Sequence, residues 1–207
     1  MIYDKYKYLY PPRPKNASTP KALGDYSNDD YVAQVKYNGS CLMNYTNGRD
    51  QTLTNRHNQP FYNCAISKEI ADLHRGKGYS VLIGEYTNKA KKAEDGTVWR
   101  DKLILVDMIV HGGQHLLKMG FEKRYETMLN LYDVKDYNEW LYQINDNIFV
   151  AKNLPFNLEM YNRVVKTDLH EGLVIKDRTF GLQDGFREDN NVAAFVKFRK
   201  STKNYLY

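Results

Sequence analysis

Charged side chains interrupt four strand-like runs that are otherwise apolar: Lys36 in "VKYNG", Glu85 in "LIGEY", Glu171 and Lys176 in "EGLVIK", and Lys197 and Arg199 in "VKFRK". A lone charge is costly to bury, so charges on core strands are paired, exposed, or turned toward a polar cavity. Each alone reads as a surface residue. Together they describe a pocket of cations with two carboxylates, suited to a phosphorylated ligand and a divalent metal. Glutamates offer hard oxygen ligands to Mg²⁺, which draws the rest of its shell from water and substrate phosphate. Such a pocket also suits a lysine nucleophile. A free lysine is deprotonated in only about one molecule in 2,500 at pH 7, a penalty of roughly 4.6 kcal/mol, which neighbouring cations and a metal reduce.

Other chemistry is weaker. "HGGQH" (His111 to His115) carries two histidines four apart, but its Gly-Gly makes it a turn rather than a metal-binding helix face. "RGKG" at 75 to 78 lacks the spacing of a phosphate-binding P-loop and reads as a helix stop. Cys41 and Cys64 are too few for a disulfide framework and read as small apolar residues of a reduced, cytoplasmic protein. The 18 tyrosines, without a repeating period, read as strand and half-buried surface residues before they read as base-stacking platforms.

The elements that must position the charged residues follow from periodicity and turn signals. Residues 1 to 30, rich in Pro, Asn, Ser and Asp with "PPRP" at 11 to 14, form an irregular, extended lead-in. "YVAQVKY", "SCLMNYT" and "QTLTNR" read as a β-meander around Lys36, the last two joined at Asn47-Gly48. "SKEIADLHRG" reads as a short helix with Ser67 as N-cap. Strands "YSVLIGEYT" and "DKLILVDMIV" follow, joined by a loop bearing Lys89, Lys91 and Lys92 that is read as solvated.

"FEKRYETMLNLYDVK" puts Tyr125, Met128, Leu129 and Tyr132 on one helix face, and "YNEWLYQI" and "PFNLEMYNRVVKT" are further helix candidates. The chain closes with the strands "EGLVIKD" and "AAFVKFRK". Strands and helices mix without the alternation of a doubly wound sheet, which predicts an α+β fold with largely antiparallel sheets.

At 207 residues the chain is long enough to bury a core without crosslinks. No apolar run approaches bilayer-spanning length, so a soluble intracellular protein with no membrane role is expected. The net charge of +5 is compatible with a polyanionic partner, yet common in proteins that bind none.

The order of the clusters resembles the covalent nucleotidyltransferases, the family of ATP-dependent DNA and RNA ligases and mRNA capping guanylyltransferases. Its signature runs from Lys-x-Asp-Gly through an arginine-bearing strand, a Gly-Glu element, a hydrophobic strand and Glu-Gly-[Leu/Val/Ile]-Val-x-Lys to a final Lys-x-Lys. This sequence has "KYNGS", "TNRH", "IGEY", "ILVDMIV", "EGLVIKD" and "VKFRK" in that order, spanning residues 35 to 200.

The resemblance implies one nucleotidyltransferase (ATP-grasp-like) domain over 1–207, with two largely antiparallel sheets flanked by helices and the nucleotide pocket between them; the C-terminal OB-fold domain that most DNA ligases and capping enzymes append is not expected, since seven residues follow Lys200. It implies that Lys36 attacks ATP to form a lysine-AMP intermediate, and that the AMP passes to a 5′-phosphate which a 3′-hydroxyl then seals, at ends or nicks of a nucleic acid. Lys36, Asn38 and Gly39 would form the nucleotide-binding motif. Arg56 would contact ribose or nucleic-acid phosphate, and Glu85 the ribose hydroxyls. Lys176, Lys197 and Arg199 would hold the α-phosphate and leaving pyrophosphate. Glu171, with Glu85, would hold Mg²⁺ or Mn²⁺. A monomer is expected.

Three departures stand out. Asn38 replaces the aspartate usual in DNA ligases, which tilts the expectation slightly toward RNA. Arg199 replaces the second lysine of the last motif, keeping charge but changing geometry. Val106 and Met108 stand where the family places an adenine-stacking aromatic ring. A capping guanylyltransferase and an inactive nucleic-acid-binding relative are the alternatives.

Overall fold

A computed structural model of the chain describes residues 11–15, 20–182 and 191–201. Its strands are β1 (Arg13–Lys15), β2 (Tyr31–Tyr37), β3 (Ser40–Thr46), β4 (Gln51–Thr54), β5 (Ser80–Thr87), β6 (Lys91–Lys92), β7 (Val98–Trp99), β8 (Lys102–His111), β9 (Gln114–His115), β10 (Lys135–Asp136), β11 (Leu141–Gln143), β12 (Ile148–Ala151), β13 (His170–Asp177) and β14 (Asn191–Arg199). The helices are α1 (Ser67–Asp72), α2 (Phe121–Asn130) and α3 (Leu158–Val164), with a 3₁₀ segment at Pro20–Tyr26.

Of the two main sheets, the smaller has the order β1-β14-β13-β2 and the larger runs β10-β11-β12-β8-β5-β3-β4 with β9 alongside β8, while β6 and β7 pair as a separate two-stranded ribbon. Pairing is antiparallel except between β1 and β14 and between β12 and β8. The fold is therefore α+β with two largely antiparallel sheets.

Alternation along the strands divides the small sheet into two faces. Ala33, Val35, Tyr37, Leu173, Ile175, Val196 and Phe198 pack with Met160, Tyr161 and Val164 of α3 in one apolar cluster. The opposite face carries the intervening residues, among them Gln34, Lys36, Val174, Lys176 and Lys197, and lines a cleft. The interrupting charges on β2, β13 and β14 are thus the cleft face of a half-buried sheet, and Glu85 meets them from β5 of the larger sheet.

The expected β-meander around Lys36 does not form. β2 pairs with β13, whereas β3 pairs with β4 and β5 in the other sheet. Between them the Asn38 N–H donates to the Leu169 carbonyl at 2.8 Å, which ties the link to the approach of β13 and sends the chain across the cleft. Gly39 is needed at this crossing because a Cβ there would lie 2.5 Å from the Tyr86 carbonyl oxygen.

The helix expected over "YNEWLYQI" is instead a turn and strand β11. Asn138 Oδ1 accepts the Trp140 N–H at 2.9 Å, and Asn145 Oδ1 accepts those of Asn147 and Ile148. Such local bonds satisfy backbone donors that a helix would use. Ser67 does not cap α1, since its Oγ accepts from Gln51 Nε2 at 2.9 Å and Ile66 holds the cap position. α3 is capped by Asn157, whose Oδ1 accepts the Met160 N–H at 2.7 Å. α2 buries Tyr125 and Met128 as its periodicity predicts, together with Phe121 and, less expectedly, Arg124.

Candidate active site

Ladder register fixes the layout of the cleft floor in rows. Lys36 lies opposite Gly172, which lies opposite Arg199; Gln34 faces Val174, which faces Lys197; Val32 faces Lys176, which faces Phe195. The facing wall comes from the larger sheet, with Cys41, Ile83, Glu85, Val106 and Asp107, and the cleft holds about 480 Å³. Arg56 and His57, in the turn after β4, line the cleft as well.

Glu171 enters the first row through an irregularity. Tyr37 pairs with His170 and Lys36 with Gly172, so Glu171 is the extra residue of a β-bulge. Gly172 accommodates that bulge with a φ of +142, and a Cβ on it would overlap the Phe198 carbonyl oxygen. The bulged glutamate accepts from Lys36 Nζ at 2.5 Å and lies 3.5 Å from Arg199 Nε. Lys36 and Glu171 keep 17% and 27% side-chain exposure, open enough for a ligand to reach them.

Glu85 Oε1 accepts the Gly39 N–H at 3.1 Å, joining the crossing to the opposite sheet. Burial, and then the negative charge of Glu171, push the Glu85 carboxyl up to about 7, against the pull of Lys36 and the Gly39 N–H. Two carboxylates close enough to repel suit a hard divalent cation, which needs only one or two protein carboxylates when phosphate oxygens complete its shell. Among the described residues no cluster of three or more metal-ligating side chains occurs.

Lys197, in the second row, is pushed down to about 8 by burial and then by Arg199, Lys36, Arg13 and Arg56. Lys176 lines the same cleft in another row. It is opposite Val32, four residues along β2 from Lys36, or about 13 Å at ~3.3 Å per residue. Its Nζ donates to the Val106 carbonyl at 3.0 Å and sits 4.2 Å from the Phe121 ring centroid and 5.3 Å from that of Phe195. Burial, with nearby Arg124, lowers it to about 7 despite Asp107.

Asn38 is not among the residues lining the cleft. Its Nδ2 donates to the Asp168 carbonyl at 3.1 Å, a bond that an aspartate at this position could not make. Arg56 lies at the mouth, exposed, with Nε donating to His57 Nε2 at 2.9 Å. Cys41 faces the cleft, but burial pushes its thiol up to about 12, so it is no nucleophile at neutral pH.

Sequence reading missed four residues here. Arg13, on strand β1 of the expected lead-in, lines the cleft; its signal was a cation locked among prolines. Gln34, 1% exposed and donating to Asn153 Oδ1 at 2.8 Å, is the polar break in "VAQVK". Asp107 and Arg124 form a fully buried pair, Nε and Nη2 donating to the two carboxylate oxygens at 3.0 Å each. A lone acid within "ILVDMIV" and an arginine one turn from apolar Met128 were the available hints.

Neither protein-family models nor curated proteins match this sequence. Solved structures match its fold. The ligase domain of M. tuberculosis LigD aligns with a TM-score of 0.62 at 17% identity, over 92% of this chain and 60% of that one. A Lig E DNA ligase aligns with a TM-score of 0.56 at 14% identity, over 93% of this chain and 68% of that one. The adenylate of Chlorella virus DNA ligase gives 0.53 at 15% identity, with the same coverages. The chain thus has the fold of ATP-dependent DNA ligase nucleotidyltransferase domains and spans about 60% of the LigD ligase domain.

Proposed function

We propose that this chain is the nucleotidyltransferase domain of an ATP-dependent polynucleotide ligase, with Lys36 as its nucleophile. The observation that carries the reading is the first row: Lys36 is held 2.5 Å from Glu171 and in line with Arg199, in a cleft between two sheets. A fold shared with proteins described as DNA ligases supports it.

In the first step the Lys36 nitrogen attacks the α-phosphorus of ATP. An N–P bond forms, the bond from that phosphorus to the bridging oxygen breaks, and pyrophosphate leaves with the electron pair. The lysine proton passes to Glu171, the acceptor already in contact, or to solvent. Arg199 and Lys197 neutralise the phosphates in the first two rows. Glu171 and Glu85 are the residues that would hold Mg²⁺ or Mn²⁺, which would supply further charge neutralisation. The AMP is then transferred to a 5′-phosphate, and a 3′-hydroxyl displaces it to close the strand.

The inner rows supply the base end. Val174 on one wall and Ile83 and Val106 on the other offer apolar faces to a purine, with polar Gln34 beside them. Lys176 belongs to this end. Phe195 of β14 brings the aromatic surface that Val106 and Met108 lack. The Asn38 amide is committed to the Asp168 carbonyl, which removes the support it gave RNA; the proteins that share the fold are described as DNA ligases, and on that ground the polymer we propose is DNA.

Labelled ATP with Mg²⁺ tests the reading. A protein-bound AMP that disappears in Lys36→Ala supports it, and the absence of any adduct with any metal ends it. An adduct from GTP in place of ATP would favour a capping guanylyltransferase. Nicked duplexes with DNA or RNA on each side then decide the polymer.

A further inference from the structure

β4 and β5 both run antiparallel to β3, which lies between them, so both end where the chain crosses from Lys36 to the larger sheet. Arg56 follows β4 at that end, and the ribbon of β6 and β7 follows β5. The two exits are two strand spacings apart, or about 10 Å. Lys89 stands four residues beyond Glu85, whose carboxylate accepts the Gly39 N–H, so no more than about 14 Å of chain separates it from the crossing. Cations therefore flank β3, the strand that carries the chain away from Lys36.

The ribbon is a built element rather than the solvated loop its composition suggests. Lys91 is opposite Trp99, and Lys92 is opposite Val98. Trp99 is buried, its ring centroid 4.8 Å from that of Phe149 and 6.0 Å from that of Tyr137, and Ala93 packs with the same apolar cluster. The Ala93 N–H donates to the Thr97 carbonyl at 2.9 Å and closes the tip, while the Asp101 N–H donates to the Thr87 carbonyl at 2.7 Å and closes the base. Anchored in this way, the ribbon leaves Lys92 and Val98 exposed, with Lys89 exposed at its base.

The acids of the ribbon do not offset these lysines. Asp95 Oδ1 accepts the Thr97 N–H at 2.8 Å inside the turn. Glu94 is close enough to act, after Glu139, on the charge of Arg163 in α3. Asp101 pairs with Arg100 and accepts from the Tyr86 hydroxyl at 2.6 Å. Among the described residues no ion pair takes up Lys89, Lys91 or Lys92. Like charges held together repel one another, and a polyanion relieves that repulsion. Double-stranded nucleic acid carries one negative charge per ~1.7 Å of axis, so a span of about 10–14 Å meets several phosphates. A protein partner fits less well, because interface cores are apolar and depleted in lysine.

We infer that the β6-β7 ribbon, through Lys89, Lys91 and Lys92, docks the phosphate backbone of the nucleic-acid duplex beside the nick. This surface rests on the ligase reading above and adds to it a contact outside the six motif elements. The ribbon holds the duplex at the nucleophile end of the cleft and takes no part in the reaction of Lys36 with ATP. Its contacts are with backbone rather than base edges, so it positions the duplex without reading sequence.

The test compares the full wild-type chain with a variant carrying Lys89→Ala, Lys91→Ala and Lys92→Ala, and with one carrying arginine at the same three positions. Binding to a nicked duplex is followed against salt concentration, and lysine-AMP formation against ATP concentration. Each phosphate contact contributes about 0.9 to the slope of log affinity against log salt, so the alanine variant should lose roughly 2 to 3 from that slope and bind at least about ten-fold more weakly. Sealing falls with binding, adduct formation stays at the wild-type level, and the arginine variant keeps the wild-type slope. An alanine variant with wild-type affinity and slope overturns the docking surface, as does one that loses adduct formation equally. So does wild-type binding to polyglutamate that is as tight as to the duplex and is lost in the same variant, which would mark a surface for acidic protein. A wild-type protein that forms no adduct with ATP refutes the ligase reading instead, so the two failures are distinguishable.

Discussion

Glu171 meets Lys36 although the two are not ladder partners: Gly172 is opposite Lys36, and the glutamate is the extra residue beside it. The ion pair at the centre of the site therefore depends on a backbone irregularity, and that irregularity depends on a glycine.

Gly172→Ala is expected to remove the bulge or the fold. A Cβ would overlap the Phe198 carbonyl oxygen at a φ of +142, so a stability loss of roughly 3 kcal/mol or more is anticipated. Urea unfolding measures it, and a variant as stable as wild type would show that the bulge is not as described.

Asn38→Asp tests the structural account of that departure. The aspartate has no N–H to donate to Asp168, so the crossing should lose about 1 kcal/mol. Preference between DNA and RNA nicks should stay where wild type has it. A switch of polymer with unchanged stability would return Asn38 to a recognition role.

Asp107→Leu and Arg124→Met each leave a buried charge unmatched. Arg124 is 0% exposed and Asp107 2%, so each single change should cost about 3–5 kcal/mol, and the double change Asp107→Leu with Arg124→Met should cost less than the sum. A double-mutant cycle by denaturant unfolding gives the coupling. Additive losses would mean the pair does not act as a unit.

Lys176 predicts a pH dependence with a definite sign. Its folded value is about 7 against an ordinary 10.5. Between these the unfolded chain holds a proton that the folded chain has released, so stability rises with pH across that window and the burial penalty is largest below it. Relative to Lys176→Met, wild type should gain up to about 1.4 kcal/mol per pH unit there. Parallel curves for the two proteins would place Lys176 in a more solvated setting.

Strand identity was legible in the sequence because period-two patterning survives wherever one sheet face is buried: "YVAQVKY" and "SCLMNYT" are β2 and β3 to the residue. Which sheet each joins was not. Adjacent strands normally pair, and only the contact of Asn38 with Leu169, 131 positions later in the chain, shows that these two part company. The motif order brought Lys36, Glu85, Glu171, Lys197 and Arg199 to one cleft, but it carries no distances, so the remoteness of Lys176 from Lys36 needed the register. "YNEWLYQI" misled because helical spacing and asparagine-stopped turns look alike until the side-chain acceptors are located. Buried Arg124 and Asp107 are legible only as a pair, and nothing local links them.

The two-residue passage at Asn38 and Gly39 has a mechanical consequence. It can extend by no more than about 7 Å, and both of its ends are pinned, by Leu169 on one layer and Glu85 on the other. The two layers thus resemble the covers of a book, with this passage as the spine. Lys36 is bound next to the spine, and the layers are joined again farther along, where Ala33 bridges Leu154 and Lys176 donates to the Val106 carbonyl. The Lys36 nitrogen is thereby held beside Glu171 and close to Glu85 at the join between the two layers.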